Sequence, residues 1–200
     1  MAKRWVKERK RDGYYRKAKK EGYRSRAAFK LIQINKRFGL ISEGDVVVDL
    51  GAAPGGWSQV ALEFVGRSGK VIAVDKKRMK PIEGVHLVRG DSTVGSTIAA
   101  VIEEIGGEAD VIVSDMSPRL SGNWNMDHAK SISLADTALE FAKQTLKKGG
   151  NFVVKAFQGD LYIEFHERTS SVFELTQSYH PKASPSGSRE VFVVAKGYRG

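Results

Sequence analysis

From residue 46 onward the apolar positions of this chain come in short unbroken runs, not in the alternation expected of a sheet with one wet face. Val46-Val47-Val48, Val71-Ile72-Ala73-Val74, Val85-His86-Leu87-Val88, Val111-Ile112-Val113 and Phe152-Val153-Val154 predict strands covered on both faces, which is the habit of parallel sheets. The stretches between them, at 57–66, 94–105 and 129–147, carry helical spacing. In the last of these, Leu134, Ala138, Phe141, Ala142 and Leu146 share one side, and Gly149-Gly150 is expected to end the helix. A helix at 160–170 and strands at Phe173 to Tyr179 and Val191 to Lys196 follow. The link from Pro181 to Arg189 is too short for a helical crossover, so the last two strands are expected to be antiparallel neighbours joined by an exposed loop. Near the start, Ser25 is expected to cap a helix that presents Ala27, Leu31, Ile34 and Phe38 on one face and ends at Gly39. The predicted fold class is α/β: a seven-stranded, mostly parallel sheet with a final antiparallel strand and helices on both faces.

Composition narrows the class. The 200 residues, 41% of them hydrophobic, suffice for one substantial core. With no cysteine and four scattered histidines, neither a disulfide framework nor a metal site is expected, and a cytoplasmic monomer is the expectation. No uncharged apolar run is long enough for a membrane span, and the basic start lacks the apolar stretch of a signal peptide. The net charge of +10 is unevenly placed. Residues 1–40 hold 15 Lys/Arg and 3 Asp/Glu, a net +12, which leaves 18 against 20, or −2, for the rest. Residues 1–22 therefore predict a basic RNA-binding arm ahead of a single domain at 23–200. Lys3-Arg4-Trp5-Val6-Lys7-Glu8-Arg9-Lys10-Arg11, then Tyr14-Tyr15-Arg16-Lys17, mix phosphate-binding charge with stackable rings. A solvated tail that aids solubility is the plainer alternative. Anionic lipid is disfavoured, since the segment has no long apolar face.

The most specific stretch is Val48-Asp49-Leu50-Gly51-Ala52-Ala53-Pro54-Gly55-Gly56-Trp57-Ser58-Gln59. A buried strand ends in an acid, a small-residue turn follows and a helix begins, a geometry that holds a nucleotide-like ligand at the carboxyl edge of a sheet. The glycines fall at 51, 55 and 56, not in the G-x-G-x-x-G spacing of NAD enzymes. Asp75 and Asp91 end the next two strands. A carboxylate at the first place can accept ribose hydroxyls and one at the second an adenine amino group, while Asp49 can meet a cation such as the amino group of a methionine moiety. Singly, each acid could equally be a helix cap.

This loop resembles that of the FtsJ-type, or RlmE-like, RNA 2′-O-methyltransferases, and the likeness runs from about Tyr23 to Lys196. The resemblance implies a Rossmann-like class I methyltransferase fold, S-adenosylmethionine as cofactor, and cofactor contacts at Gly55, Trp57, Asp75, Asp91 and Asp115, to which the loop itself adds Asp49 and Gly51. It also implies a catalytic set of Lys30, Asp115, Lys155 and Glu190, with Lys155 as proton acceptor or as the group that orients the ribose oxygen. The expected substrate is a uridine 2′-hydroxyl in large-subunit ribosomal RNA. A tRNA ribose methyltransferase and a non-catalytic RNA-binding assembly factor are the alternatives. Position supports the set independently: Asp115 and Lys155 end parallel strands, Glu190 begins a strand expected to run the other way, and Lys30 sits beside an apolar helical stripe. The structural alternatives are a packing aromatic at Trp57, a snorkelling lysine at Lys30 and a simple ion pair between Asp115 and Lys155. A lysine serves as a base near neutral pH only where its surroundings favour the neutral form.

Overall fold

The computed structural model describes residues 12–185 and 187–200; the basic run Lys3 to Arg11 lies outside the described residues. The elements, in chain order, are α1 (Gly13–Glu21), α2 (Ala28–Phe38), β1 (Val46–Leu50), α3 (Gly56–Val65), β2 (Lys70–Asp75), β3 (Val85–Arg89), α4 (Gly95–Ile105), β4 (Ala109–Ser114), α5 (Trp124–Thr145), β5 (Leu146–Phe157), α6 (Asp160–Val172), β6 (Phe173–Tyr179) and β7 (Glu190–Tyr198).

The valine runs form the centre of one seven-stranded sheet in the order β3-β2-β1-β4-β5-β7-β6. β1 to β5 are mutually parallel, and β7 runs antiparallel between β5 and β6, as the short last link requires. This is the Rossmann-like class I arrangement. On one face Leu31 and Ile34 of α2 with Val60 of α3 pack on Val47, Val71, Val113 and Phe192. On the other, Leu139 and Phe141 of α5 with Phe165 of α6 pack on Ile72, Ile112, Phe152 and Val193. Each such fully buried side chain contributes about 1.5–3 kcal/mol.

Three local expectations are corrected. β3 is an edge strand, paired among the described residues only to β2, and His86 and Leu87 are exposed, so its apolar run is not covered on both faces. Ser25 does not cap α2, whose first turn follows Ala27 with no side-chain cap. The space beside Gly56 explains where it goes instead: a Cβ there would lie 2.3 Å from Ser25 Oγ. Finally, α5 begins at Trp124, capped by Asn123 Oδ1 accepting from the Met126 N–H, and ends at Thr145 ahead of the glycines. Gly149 and Gly150 lie in β5, where the partners of Ala109 and Val111 jump from Leu146 to Asn151 and Gly149 takes φ 81° in the resulting bulge.

Part of the basic segment is folded onto the domain. Asp12 caps α1 by accepting from the Tyr14 and Tyr15 N–H groups and pairs with Arg26, Ala18 is buried against Phe29 and Ala183, and the Tyr14 ring packs 5.6 Å from that of Phe29. No helix among the described residues is long and apolar enough to cross a membrane.

Candidate active site

The carboxyl ends of the parallel strands stop at different heights, and this stagger builds the site. β4 ends where Ser114 pairs with Val154, so Asp115 leaves the sheet just as β5 carries Lys155 one residue further. β5 itself continues to Phe157, so Lys155 does not end its strand as expected; it lies one residue past the parallel pairing with β4, facing Phe192 of β7 on its other side. Because β7 runs the other way, its first residue, Glu190, pairs with Phe157 at the same edge. The first turn of α2 brings Lys30.

All four expected residues meet. Lys155 Nζ lies 2.9 Å from Asp115 Oδ1 and donates to the Asp115 carbonyl at 2.8 Å. Lys30 Nζ lies 2.8 Å from Glu190 Oε1 and 3.5 Å from Asp115 Oδ1, over the Phe192 ring. Both lysines are about nine-tenths or more buried, at 6% and 5% exposure. The result is an alternating chain, Glu190–Lys30–Asp115–Lys155, in which each buried charge has an opposite neighbour, the condition for keeping ions out of water. Asp115 Oδ1 and Glu190 Oε1 nonetheless lack an aligned hydrogen bond, so the lysines hold them by charge at close range.

Beside this cluster a cleft of about 380 Å³ opens at the ends of β1, β2 and β4, lined by Gly51, Ala53, Asp75, Gly90, Asp115 and Met116 among others. Its volume lies within the range of small-ligand sites. Gly51 takes φ 72°, and a Cβ there would come 2.3 Å from Met116 Cγ, so only glycine lets the loop lie against that side chain. A smaller recess of about 50 Å³, bordered by Asp49, Trp57 and again Asp115, adjoins it.

A family model described as FtsJ-like methyltransferase matches residues 23–198. The chain belongs to the FtsJ-like methyltransferases. Ribosomal RNA large subunit methyltransferase E of Methanosarcina barkeri is 54% identical to it over 190 residues, covering 94% of this chain and 72% of the relative. The protein of that name from Methanococcus vannielii is 46% identical over 200 residues, covering 99% and 77%. Among solved structures, a ribosomal RNA methyltransferase from Plasmodium falciparum matches with TM-score 0.80 at 30% identity, over 89% of this chain and 100% of the other. Fibrillarin of Aeropyrum pernix, solved with bound S-adenosyl-L-methionine, shares the fold, with TM-score 0.60 at 15% identity over 86% and 75% of the two chains.

Within this FtsJ-like site the acids are not equivalent. Asp75 accepts from the Ala53 N–H at 2.9 Å and the Lys77 N–H at 2.7 Å, which ties the glycine turn to β2. Asp91 stands at the rim, its carboxylate on Lys76 Nζ at 2.7 Å and the Thr93 N–H at 3.1 Å, and chiefly the Lys76 contact holds its pKa below the usual carboxylate range. Gly55 takes φ 108° beneath Met79 and Ile82, outside the main cleft. Trp57 is buried, donates from Nε1 to the Ala27 carbonyl at 2.8 Å and stacks 5.6 Å from Phe192, the ring under Lys30. The cleft lining also includes Lys76, Gly90, Ser92, Met116 and Leu134, none singled out by sequence. Gly90 and Met116 adjoin the recognised Asp91 and Asp115, and that adjacency was the only signal for them.

Asp49 is fully buried with its carboxylate accepting from Ser58 Oγ at 2.6 Å. Burial, with help from the charges of Asp115 and Asp75, pushes its pKa up to about 7 against the pull of the Ser58 hydrogen bond. An acid raised on folding stabilises the native state fully below its unfolded pKa and loses that contribution as pH climbs to the folded value. The wild type should thus lose stability from this group between about pH 4 and 7, a slope that Asp49→Asn removes. Urea unfolding of both proteins at several pH values checks this; parallel stability curves across that window would mean Asp49 does not titrate there.

Proposed function

We propose that this FtsJ-like methyltransferase transfers a methyl group from S-adenosylmethionine to a ribose 2′-hydroxyl, that of a uridine in large-subunit ribosomal RNA. The observation that carries the reading is the position of Asp115, which lines the cleft, borders the recess and belongs to the charged chain at once. A ligand in the cleft and a group resting on Lys155 would therefore be neighbours.

The residues fit the cofactor. Asp75 in the cleft lining would hold the ribose, Asp91 at the rim, between the lining residues Gly90 and Ser92, would hold the adenine, and the buried Asp49 with Gly51 would offer an acid and close backbone to a methionine moiety. Bound S-adenosylmethionine supplies a methyl group on a positively charged sulfur whose leaving thioether is neutral. What remains for the protein is to align the acceptor and help remove a proton from a weakly acidic alcohol. Lys155 Nζ would meet the 2′-hydroxyl, accepting that proton once it has given up one of its own to solvent, or, while still an ammonium, orienting the ribose oxygen. Asp115 fixes Nζ through both its carboxylate and its carbonyl, and Lys30, itself paired with Glu190, holds Asp115 in turn. Burial of both lysines keeps water from competing for the same contacts.

The relatives bear the name of large-subunit ribosomal RNA methyltransferase, which supports the choice of RNA. Incubation with labelled S-adenosylmethionine and separated ribosomal subunits, ribosomal RNA and tRNA tests it. Label in the large-subunit RNA is expected; label in tRNA alone, or in none of them, overturns the reading.

Residues 1–11, with six Lys/Arg and one acid, act in the same proposal as a phosphate-binding arm ahead of the domain. Because α1 is packed into the fold, the clean truncation removes 1–11 and spares it. RNA affinity should weaken and its salt dependence flatten, by roughly 0.7 in the logarithmic slope for each phosphate the arm no longer neutralises, with cofactor affinity unchanged. Equal slopes for the two proteins would show that the arm does not touch RNA.

A further inference from the structure

Two residues past Lys155 and one residue before Glu190, the edge of the site carries a ring system that the chemistry above does not use. Trp124, the first residue of α5, lies nearly parallel to Phe157, 5.9 Å away at 18°, and to His128, 5.8 Å away at 14°. Arg189 places its guanidinium 4.3 Å from the centre of the Trp124 ring. Trp124 is half-buried and Arg189 exposed. Phe157 and His128 are buried, but neither Trp124 nor Phe157 joins any of the three apolar clusters of the described residues, so the stack stands at the margin of the core.

The platform is held rigid from below and beside. His128 Nε2 accepts from the Leu161 N–H at 3.1 Å, and Gly159 packs against the same ring so closely that a Cβ would lie 2.8 Å from Nε2. Asp127 fastens the preceding loop, accepting from the Ser121 N–H at 2.8 Å, Ser121 Oγ at 2.7 Å and the Gly122 N–H at 3.2 Å. A fixed aromatic face capped by a guanidinium is the surface on which unstacked nucleobases rest. Along β5, the backbone of Phe157 stands roughly 6.6 Å from that of Lys155, two strand residues on, and residues two apart share a face of the strand.

We propose that the Arg189–Trp124 stack seats the base of the acceptor nucleotide, turned out of the RNA so that its ribose reaches Lys155. The proposal rests on the RNA ribose reading above. Every base offers a π-face, so the platform selects an unpaired nucleotide, not one particular base. Trp124 is a substrate-positioning residue whose mark is on RNA and not on the cofactor.

The test uses the full chain and a large-subunit ribosomal RNA fragment that the wild type methylates, with the acceptor mapped. Trp124→Ala should raise the RNA KM roughly 5- to 150-fold, the effect of losing one base–aromatic stack, while Trp124→Phe recovers most of it and S-adenosylmethionine affinity stays put. Arg189→Ala, at an exposed position, should raise KM in the same sense and serves if Trp124→Ala folds poorly. The deciding substrate keeps the acceptor ribose and its 2′-hydroxyl but lacks the base. The wild type should lose on it what Trp124→Ala loses on intact RNA, and the variant should lose little more. Fully additive losses, an unchanged KM in every variant, or the same loss only when a neighbouring base is removed would each overturn the platform. Absence of wild-type methylation of any RNA would instead bring down the underlying reading, and the platform with it.

Discussion

Lys155→Ala should lower the rate of methyl transfer by about 10²- to 10⁴-fold, the span that a positioned general base contributes, with S-adenosylmethionine affinity left near that of the wild type. The split follows from geometry. Nζ of Lys155 contacts only Asp115 among the polar groups described, and the cleft is lined without it. Nor should the variant unfold: Asp115 keeps Lys30 at 3.5 Å as a counter-ion, so its charge is not orphaned. Lys155→Arg sharpens the result, because a guanidinium donates hydrogen bonds but does not give up its proton in proteins. Single-turnover transfer rates and cofactor titrations of the three proteins decide. A base at Lys155 leaves both variants slow; recovery in Lys155→Arg would make the side chain an orienting donor, and normal turnover in Lys155→Ala would remove it from the chemistry.

Trp57→Ala should cost about 3–5 kcal/mol of stability, as large aromatic truncations in a core do, and lower Tm by roughly 6–20 °C for a domain of this size. The ring fills the space between α3 and Phe192, and its Nε1 ties the start of α3 to the residue from which α2 starts. Lys30 lies one turn into that helix, so transfer should fall together with stability. Trp57→Phe keeps most of the packing and forgoes only the hydrogen bond, worth about 0.5–1.5 kcal/mol. Calorimetric melting of both variants, with and without S-adenosylmethionine, is the measurement. A Tm unchanged in the absence of ligand but no longer raised by it would mark Trp57 as a cofactor contact and not as packing.

The fold was legible because its decisive signals are local. Valine runs such as Val46 to Val48 and Val111 to Val113 need no neighbour to announce strands covered on both faces, and the brevity of the Pro181 to Arg189 link forces β7 to run against its neighbour β6. Where those expectations failed, the missing fact was a neighbour. Val85 to Val88 reads like the other runs, yet it forms an edge strand. Gly149-Gly150 resembles a helix stop, but α5 had already ended, and the glycines absorb a register jump against β4 that no spacing within their own segment encodes. Ser25 has the chemistry of a cap and spends it beside Gly56, across the turn between two helices.

The same division runs through the site. Which residue types were present, and that Asp49, Asp75, Asp91, Asp115, Lys155 and Glu190 fall near strand ends, was fixed by the chain alone, since strand ends follow from short-range pattern. That Lys30 pairs with Glu190 across 160 positions of sequence, that Asp49 is buried enough to titrate near neutrality while Asp91 rests on Lys76 at the rim, and that Trp57 faces Phe192, all depended on folding. Distance, burial and the charges that surround a group are properties of its neighbours in space. Trp124 shows this most plainly: in the sequence it is an isolated aromatic in a polar segment, and only the close of α5 against β5 and Arg189 turns it into a face at the edge that carries Lys155 and Glu190.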